Sequence, residues 1–396
     1  MASSPGVYAA SMRLRLSPRD VGVLVRATSR RGPTLAALAE AAAARFRDRT
    51  ALVVGDRSWS FAELWRRAER LAGVWHRESL DGPRTVVVAC EGAGLVVSLL
   101  AGSRLGLDVW LAHPGRVAAL EHVIPDDALL VHEEDAPAWH RGPTMPAEQA
   151  LARSDEEGGP LADTSRRGRL VLMTAGTTGT PVPHVARQFS VWGLRQLRSL
   201  HERIGIASTD TVLACWPLHQ GNGVQLVAAS LLTGATLVAA PRSRPHTRVR
   251  LLLERGATML SGTPTQLGRL LDHLAETGET PPPVRRIVSG SEPLDARLVA
   301  RLHDAWGPIV CNAYGTTETG TVTVASPDEV VAHPGTVGRA IPGTQAGIVG
   351  HPTGEQAEGR VWVRGAGRTI ITDDRGRMDD GRLTILGRMP AGPDGD

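Results

Sequence analysis

The chain has 396 residues, of which 42% are hydrophobic and 21% charged, as is typical of a soluble globular protein with one large domain or two to three smaller ones. The net charge is only +3, and no basic stripe with interleaved aromatic residues is present, so the composition argues against a nucleic-acid partner. The sequence contains no lysine, and all 44 of its basic residues are therefore arginine.

The sequence gives no sign of export or of membrane insertion. No apolar segment typical of a secretion signal stands at the N-terminus, and no stretch approaches the roughly 18 apolar residues that a membrane span needs. Cys90, Cys215 and Cys311 lie far apart without CxxC spacing, which is typical of buried free thiols in a reducing compartment. These features predict a cytoplasmic protein with no membrane span.

The first part of the chain alternates between helical and strand patterns. Residues 1–31 form a basic leader, of which 21–31 suit a short strand or one to two helical turns. Apolar periodicity predicts helices over 35–46, 62–75 and 95–105, and strands over 50–54, 59–61, 84–90, 108–111 and 128–131. Residues 133–167 are rich in Pro, Gly, Asp and Glu, and they are predicted to be a linker.

A second run of alternating elements follows the linker. Strands are predicted over 170–173, 211–215, 236–240, 259–260, 286–289 and 309–310, and helices over 224–232, 248–255, 264–274 and 294–305. From 321 onward we expect strands only, over 346–349, 361–363, 369–371 and 383–386. The alternation indicates an α/β fold with a largely parallel sheet. The predicted divisions are a leader (1–31), a first α/β subdomain (32–165), a second one (166–320), a small β-rich barrel or sandwich (321–388) and a tail (389–396).

The stretch LVLMTAGTTGTPVPHVARQ, residues 170–188, places a Gly/Thr-rich loop directly after a buried strand. Gly176 and Gly179 permit positive φ and close backbone approach, while the threonines add hydroxyl donors beside the main-chain N–H groups. Such a loop can form an anion nest for phosphate, although an ordinary turn after a strand explains the same composition. It is not a Walker A loop, because the GK[ST] ending is missing.

Four further stretches follow the loop in order. They are IVSGSEPL (287–294), NAYGTTE (312–318), GTVGRAIPG (335–343) and TDDRG (372–376) followed by Gly387-Arg388. With these five motifs the chain resembles the adenylate-forming (ANL) superfamily of acyl-CoA synthetases, peptide-synthetase adenylation domains and luciferase-like enzymes. The resemblance covers residues 33–388 and implies the large N-terminal domain of that superfamily, with two α/β subdomains packed face to face and a small β-barrel-like subdomain.

The resemblance assigns roles to individual residues. It implies that Thr174, Gly176, Thr177, Thr178 and Gly179 wrap the phosphates of ATP, and that Tyr314, with Gly315 and Thr316 beside it in the YGTTE motif, stacks on adenine. Gly290, Ser291 and Glu292 would pack against the other side of the base. Thr317 would reach the α-phosphate, Glu318 would hold Mg²⁺, Asp374 would accept the ribose hydroxyls and Arg388 would donate there.

Structural explanations compete with these roles. Tyr314 is one of only two tyrosines, and a lone aromatic residue is usually part of the core. Glu318 suits a helix cap, and Asp374 stands among several turn aspartates. The YGTTE and TDD contexts favour the functional roles.

The sequence departs from the family pattern at several positions. Ala175 stands where the family usually has serine, and Val182-Pro183 stand where it has Lys-Gly, with His184 or Arg187 as speculative replacements for the lysine. In PLHQGNG (217–223), His219 takes the place of an aromatic residue and Gln220 that of a histidine. Only eight residues follow Arg388 in the sequence, without the family's C-terminal domain and its lysine, so we expect a naturally short family member.

Three hypotheses follow. The first is an adenylate-forming ligase that uses ATP and Mg²⁺ to activate a small carboxylic acid, slowly alone or with a C-terminal domain from another chain, and with coenzyme A or a carrier protein as a possible acceptor. The second is a nucleotide- or acyl-adenylate-binding pseudoenzyme that serves a partner. The third is a scaffold repurposed for another acyl transfer or condensation, in which His219 or Glu318 participates.

Overall fold

The computed structural model describes residues 17–78, 80, 84–157, 159, 161–164, 166–175, 181–186, 191–240, 244–365 and 367–389. Within these ranges the helices are α1 (Pro18–Arg31), α2 (Leu35–Phe46), α3 (Phe61–Arg77), α4 (Gly92–Leu105), a 3-10 helix (Pro114–Leu120), α5 (Ala147–Arg153), α6 (Val191–Ile204), α7 (Gly221–Thr233), α8 (Pro245–Glu254), α9 (Pro264–Thr277), α10 (Ala296–Trp306) and α11 (Pro327–Ala332).

The described strands are β1 (Thr50–Val54), β2 (Arg57–Ser60), β3 (Thr85–Ala89), β4 (Asp108–Leu111), β5 (Leu129–His132), β6 (Thr144–Pro146), β7 (Leu170–Ala175), β8 (Pro181–Val185), β9 (Thr211–Ala214), β10 (Thr236–Ala239), β11 (Met259–Gly262), β12 (Arg286–Gly290), β13 (Val310–Thr316), β14 (Gly320–Ala325), β15 (Thr336–Ala340), β16 (Gln345–Ile348), β17 (Ala357–Gly365), β18 (Arg368–Asp379) and β19 (Arg382–Arg388).

Several helices begin at side chains that satisfy their free N–H groups. The Thr263 hydroxyl accepts from the Gln266 amide, the Gln266 side chain accepts from the Thr263 amide, and Pro264 occupies the first turn of α9. The Asp295 carboxylate caps α10 in a similar way by accepting from the Leu298 amide at 2.7 Å. These caps make the helix starts readable from local sequence.

The described strands form two sheets. One has six strands in the order β6-β5-β3-β4-β7-β8, and the other has thirteen in the order β16-β17-β18-β19-β15-β14-β13-β12-β11-β9-β10-β1-β2. The centre of the larger sheet is parallel, since β10, β9, β11, β12 and β13 all run in one direction, whereas every pair from β13–β14 through β19 to β16 is antiparallel. Parallel strands end at a common edge, which is where ligands bind in such folds.

The largest hydrophobic core joins the two sheets. It contains buried residues of strands from both sheets together with helices α2, α3, α4 and α7, and its largest fully buried side chains include Trp75 and Phe61. A second core packs α8, α9 and α10 on the larger sheet, a third lies under the 3-10 helix, and a fourth fills the strands from β14 to β19. Burial on this scale is the dominant stabilising contribution in a chain of this size.

The expected α/β class and most of the predicted elements are confirmed. The helix over 35–46 and the strands over 50–54 and 108–111 have the predicted bounds, and most other elements differ only at their ends. Two predictions are wrong: the predicted linker contains β6 and α5, and the short helix α11 follows residue 321. Two more had the wrong extent. Of the alternatives for residues 21–31 the helical one is right, but α1 spans Pro18–Arg31, and Pro181, which was expected to belong to the Gly/Thr-rich loop, begins β8.

The sheets cross the subdomain boundaries predicted from the sequence. Strands β1 and β2 precede residue 165, yet β1 pairs with β10 of the larger sheet, while β7 pairs with β4 of the smaller one. The β-rich part from 321 to 388 continues the larger sheet and curls so that β14 contacts β16 and β17. As domain limits, the predicted boundaries stay a prediction.

No helix within the described ranges is long and apolar enough to cross a membrane.

All three cysteines are free and buried. Burial raises the pKa of Cys215 and of Cys311 to about 11, and burial together with the Glu133 and Glu91 charges raises the pKa of Cys90. A raised thiol pKa means that the folded state holds the proton more tightly than the unfolded state does.

We therefore expect the thiols' contribution to the free energy of unfolding to be complete below the unfolded thiol pKa of about 8.5 and to be lost as pH rises toward 11. Urea unfolding over a pH series measures this loss. In the double variant Cys215→Ala/Cys311→Ala the free energy of unfolding should fall less over the same pH range. Rapid modification of the folded protein by a thiol-reactive disulfide at neutral pH would contradict the burial.

Candidate nucleotide and acyl-transfer site

A cavity of about 270 Å³ opens at the edge where the parallel strands end. Its walls come from the end of β7, the start of α7, the turn after β12, and the hairpin between β13 and β14. The lining residues are Leu172, Met173, Gln220, Gly221, Asn222, Gln225, Ser291, Gly315, Thr316, Thr317, Gly320 and Thr321. The predicted site residues Ser291, Gly315, Thr316 and Thr317 thus lie in one cavity.

Tyr314 and Asp374 are in direct contact although they lie on different strands. The Tyr314 hydroxyl donates to Asp374 Oδ2 at 2.6 Å, and Arg388 Nε lies 3.2 Å from Asp374 Oδ1. Burial and the hydrogen bond to Asp374 raise the pKa of Tyr314 above its usual range, so the phenol stays a donor at neutral pH. The Asp374 amide donates to the Thr372 hydroxyl, which in turn donates to the Val361 carbonyl. The carboxylate is therefore held in a fixed position.

Strand pairing explains why Asp374 and Arg388 meet. They are opposite each other in the β18–β19 register, next to an irregularity at Arg375/Gly376. The guanidinium remains 76% exposed, whereas the carboxylate is only 15% exposed. An exposed donor can turn toward a ligand while the anchored acceptor stays in place.

Glu318 is held by a residue of the opposite sheet. His184 Nδ1 lies 3.1 Å from Glu318 Oε1, and both side chains are partly buried. His184 belongs to β8, where it pairs in register with Leu172. The predicted metal ligand is therefore already paired with the histidine that the sequence offered as a substitute for the missing lysine.

The described residues contain no group of three or more His, Cys, Asp or Glu side chains arranged to hold a metal ion. One carboxylate does fit Mg²⁺, because this ion is usually held by one or two carboxylates, water and the phosphates of the substrate. Within the described part, the donor set at Glu318 therefore suits a metal that arrives with a nucleotide.

Glycine is required at two positions beside the cavity. A Cβ at Gly290 would lie 2.9 Å from the Ala313 carbonyl oxygen, and one at Gly315 would lie 2.0 Å from the Gly320 carbonyl oxygen. Both contacts are too close for a side chain. Gly290 and Gly315 thus let neighbouring backbone segments approach each other at the cavity.

The turn after β12 separates two predicted site residues. Ser291 adopts a positive φ of 69° and accepts a hydrogen bond from the Asn222 side chain at 2.7 Å, at the cavity wall. Glu292 instead accepts from the Thr265 amide and hydroxyl near the start of α9. Positive φ is uncommon for serine and concentrates at functional sites. The structure therefore brings Ser291, but not the Glu292 carboxylate, into the cavity.

The Gly/Thr loop joins the antiparallel strands β7 and β8, in which Thr174 pairs with Val182. The predicted phosphate ligands Gly176, Thr177, Thr178 and Gly179, like Arg187, lie outside the described residues, and the Thr174 side chain is also outside the description. Their roles stay a prediction.

His219 lies beside a second cavity. This cavity has a volume of about 280 Å³, and its lining residues are Ala112, His113, Arg116, Leu120, Met173, Pro181, His219 and Gln220. His219 is 4% exposed, and its Nδ1 lies 2.6 Å from Glu91 Oε1. The two cavities share Met173 and Gln220, so they adjoin.

The sequence missed three contributors to these cavities: Glu91, Asn222 and Gln225. Glu91 is separated from His219 by 128 positions, and no local pattern connects them. Asn222 and Gln225 lie one turn apart at the start of α7. Asn222 belongs to the stretch 217–223 already noted for its altered histidine, whereas Gln225 lies just beyond it and no sequence motif marked it.

Comparisons with known proteins identify the family of the chain. A family model described as AMP-binding enzyme matches residues 39–369. The chain is 30% identical to a long-chain-fatty-acid–CoA ligase of Thermus thermophilus, over 53% of this chain and 36% of that protein. It is 27% identical to a 2-succinylbenzoate–CoA ligase of Bacillus cereus, over 71% and 56%. The chain thus spans about a third to just over half of these curated relatives.

Solved structures show the same fold. The chain superposes on VinN in complex with L-aspartate with a TM-score of 0.77 at 21% identity, covering 89% of this chain and 98% of that one. It superposes on the o-succinylbenzoate–CoA synthetase MenE of Bacillus subtilis in complex with AMP with a TM-score of 0.76 at 21% identity, covering 89% and 78%. With the family match over residues 39–369, the chain belongs to the AMP-binding enzymes of the ANL adenylate-forming superfamily.

Proposed function

We propose that this protein activates a carboxylic acid by forming an acyl-adenylate from ATP. The observation that carries the proposal is the contact of Tyr314, Asp374 and Arg388 beside the cavity that Thr316 and Thr317 line. This arrangement offers an aromatic ring, an anchored acceptor and an exposed cation, which are the groups needed to hold adenine, ribose and phosphate.

We assign separate roles in binding and chemistry to the residues in and beside the cavity. Tyr314 stacks on the base, Asp374 accepts hydrogen bonds from the ribose hydroxyls, and Arg388 donates nearby. Thr317 donates to the α-phosphate, and Glu318 holds Mg²⁺, which supplies Lewis-acid stabilisation of the phosphate charge when bound. A MenE structure contains ATP and a magnesium ion, which supports this pairing of nucleotide and metal.

The absence of lysine should lower the rate at which the carboxylic acid is activated. These 396 residues contain no lysine, and Val182, where the family pattern has one, is 42% exposed. Arginine does not replace lysine as a compact point charge. We therefore propose that adenylation by this chain is slow and that a C-terminal domain supplied by another chain accelerates it, with coenzyme A or a carrier protein accepting the acyl group.

The pairing of Glu318 with His184 favours a second candidate. A carboxylate already held by a histidine is less available to Mg²⁺, so a protein that binds nucleotide or acyl-adenylate without turning it over also accounts for the site. The two candidates differ in whether nucleotide binding leads to chemistry.

ATP–pyrophosphate exchange with a panel of aliphatic and aromatic acids tests the proposal. We expect Mg²⁺-dependent exchange above background with at least one class of acid, and a higher rate when the C-terminal domain of a related ligase is added. Omission of Mg²⁺ is the control for adventitious exchange. Binding of AMP without exchange under any of these conditions would favour the second candidate.

A further inference from the structure

His219 and Glu91 form a buried pair outside the proposed nucleotide site. The Glu91 side chain is 9% exposed, and its Oε1 lies 2.6 Å from His219 Nδ1. Its second oxygen accepts from the Leu218 amide at 3.3 Å. Both carboxylate oxygens are therefore engaged, and the imidazole is held through one of its two ring nitrogens.

This arrangement determines what the ring can offer to a ligand. A carboxylate at Nδ1 favours the tautomer that carries its proton there, which leaves the lone pair on Nε2. The ring borders the cavity of about 280 Å³, and with Nδ1 engaged only Nε2 remains for a molecule in that cavity. A base held in place by a carboxylate is the arrangement that activates nucleophiles in many enzymes.

The position of the His219–Glu91 pair next to the nucleotide site points to a role in the reaction. The cavity beside His219 adjoins the cavity of the nucleotide site, since Met173 and Gln220 line both. An acyl acceptor in the first cavity would therefore lie next to an acyl-adenylate in the second. A buried ionisable pair is also poor evidence for a purely stabilising role, because desolvation of the charges offsets much of their attraction. A functional role explains why His219, held by Glu91, borders a cavity.

The other ionisable groups around the ring have different contacts. The His113 ring lies edge-on to His219, with 5.3 Å between the centroids, and its Nδ1 accepts from the Gly115 amide. Arg116 lines the cavity, and Glu133 accepts from the Glu91 amide. His219 combines a position in the cavity wall with a carboxylate at its Nδ1.

We propose that His219 is the general base for the second half-reaction, in which the acyl group passes to a thiol or a primary amine, and that Glu91 positions it. This inference rests on the proposed function, which supplies the acyl-adenylate. His219 Nε2 takes the proton of the acceptor as its sulfur or nitrogen bonds to the acyl carbonyl carbon. The bond from that carbon to the phosphate oxygen breaks, and AMP leaves with the electron pair.

The test separates this step from adenylation. Benzoyl-adenylate and hexanoyl-adenylate are supplied directly to the purified chain with coenzyme A or glycine as acceptor, and pyrophosphate exchange is measured in parallel. His219→Asn keeps an amide donor for Glu91 but has no group at the Nε2 position. We expect transfer to fall by about 100-fold to 10,000-fold while exchange changes by less than about threefold.

Two further measurements distinguish a base from a structural residue. An aromatic thiol that is already ionised at neutral pH needs no base, so His219→Asn should transfer to it nearly as fast as wild type. Added imidazole should restore transfer in His219→Ala, and Glu91→Gln should slow transfer to glycine more than transfer to the aromatic thiol. A purely structural pair would produce equal losses with every acceptor.

Failure of the proposed adenylation and failure of the proposed role of His219 give different results. Absence of exchange with any acid overturns adenylation but leaves transfer from the supplied adenylates measurable. The role of His219 as a base is overturned if His219→Asn transfers the acyl group as fast as the wild type does. It is also overturned if the wild type transfers the acyl group from neither adenylate.

Discussion

Replacing Asp374 by asparagine is expected to weaken AMP binding by about tenfold to a hundredfold. Asparagine can still accept the Tyr314 hydroxyl, so the strand packing should survive, but the negative charge and the second acceptor oxygen are lost. Hydrogen bonds to a charged group contribute roughly 1.5–3 kcal/mol, and each 1.4 kcal/mol corresponds to about tenfold in affinity. Isothermal titration with AMP measures the change.

The neighbouring residue provides a matched control. Asp373 is exposed and pairs with Arg360 at the surface, at 3.0 Å. Asp373→Asn makes the same chemical change one position away and should leave AMP affinity within about twofold. Equal affinities for the wild type and Asp374→Asn would remove Asp374 from the nucleotide site and with it the main support for the proposed function.

Replacing Glu318 by glutamine is expected to lower Mg²⁺-dependent pyrophosphate exchange by about 100-fold or more. The carboxylate is the only predicted protein ligand for the metal, and removal of one preorganised electrostatic partner of a transition state typically costs this much. AMP binding without Mg²⁺ should remain near wild type, since the adenine and ribose contacts are unchanged. The exchange rate over a Mg²⁺ titration is the measurement.

The contact of His184 with Glu318 provides a second test of the metal role of Glu318. If Glu318 serves the metal, His184→Gln should alter the Mg²⁺ concentration needed for half-maximal exchange, because it changes the partner of the carboxylate. The surface control is Glu202→Gln on α6, where Glu202 pairs with Arg198 one helical turn earlier. If Glu318→Gln exchanged pyrophosphate at the wild-type rate at every Mg²⁺ concentration, Glu318 would be excluded as a metal ligand.

Local sequence predicts elements well where the physical cause is itself local. The helix Leu35–Phe46 follows from its apolar spacing and its Thr34 cap, and the strands β1 and β4 follow from short apolar runs. The start and full length of helix α1 were missed because its stability comes partly from partners elsewhere. Arg31 pairs with Glu40 of α2, and Arg45 of α2 pairs with Asp20 of α1. No window within residues 1–31 contains those contacts.

The order of motifs along the chain was sufficient for the family and the fold class, since both depend on patterns that neighbouring residues carry. Sequence also marked Tyr314, Glu318, Asp374 and His219 as candidates. Only the tertiary structure decided their partners: the Asp374 carboxylate at the Tyr314 hydroxyl, His184 at Glu318, and Glu91 at His219. It also decided which sheet received β1 and β7. These pairings join positions far apart in the chain, and packing and strand register, which local sequence does not encode, bring them together.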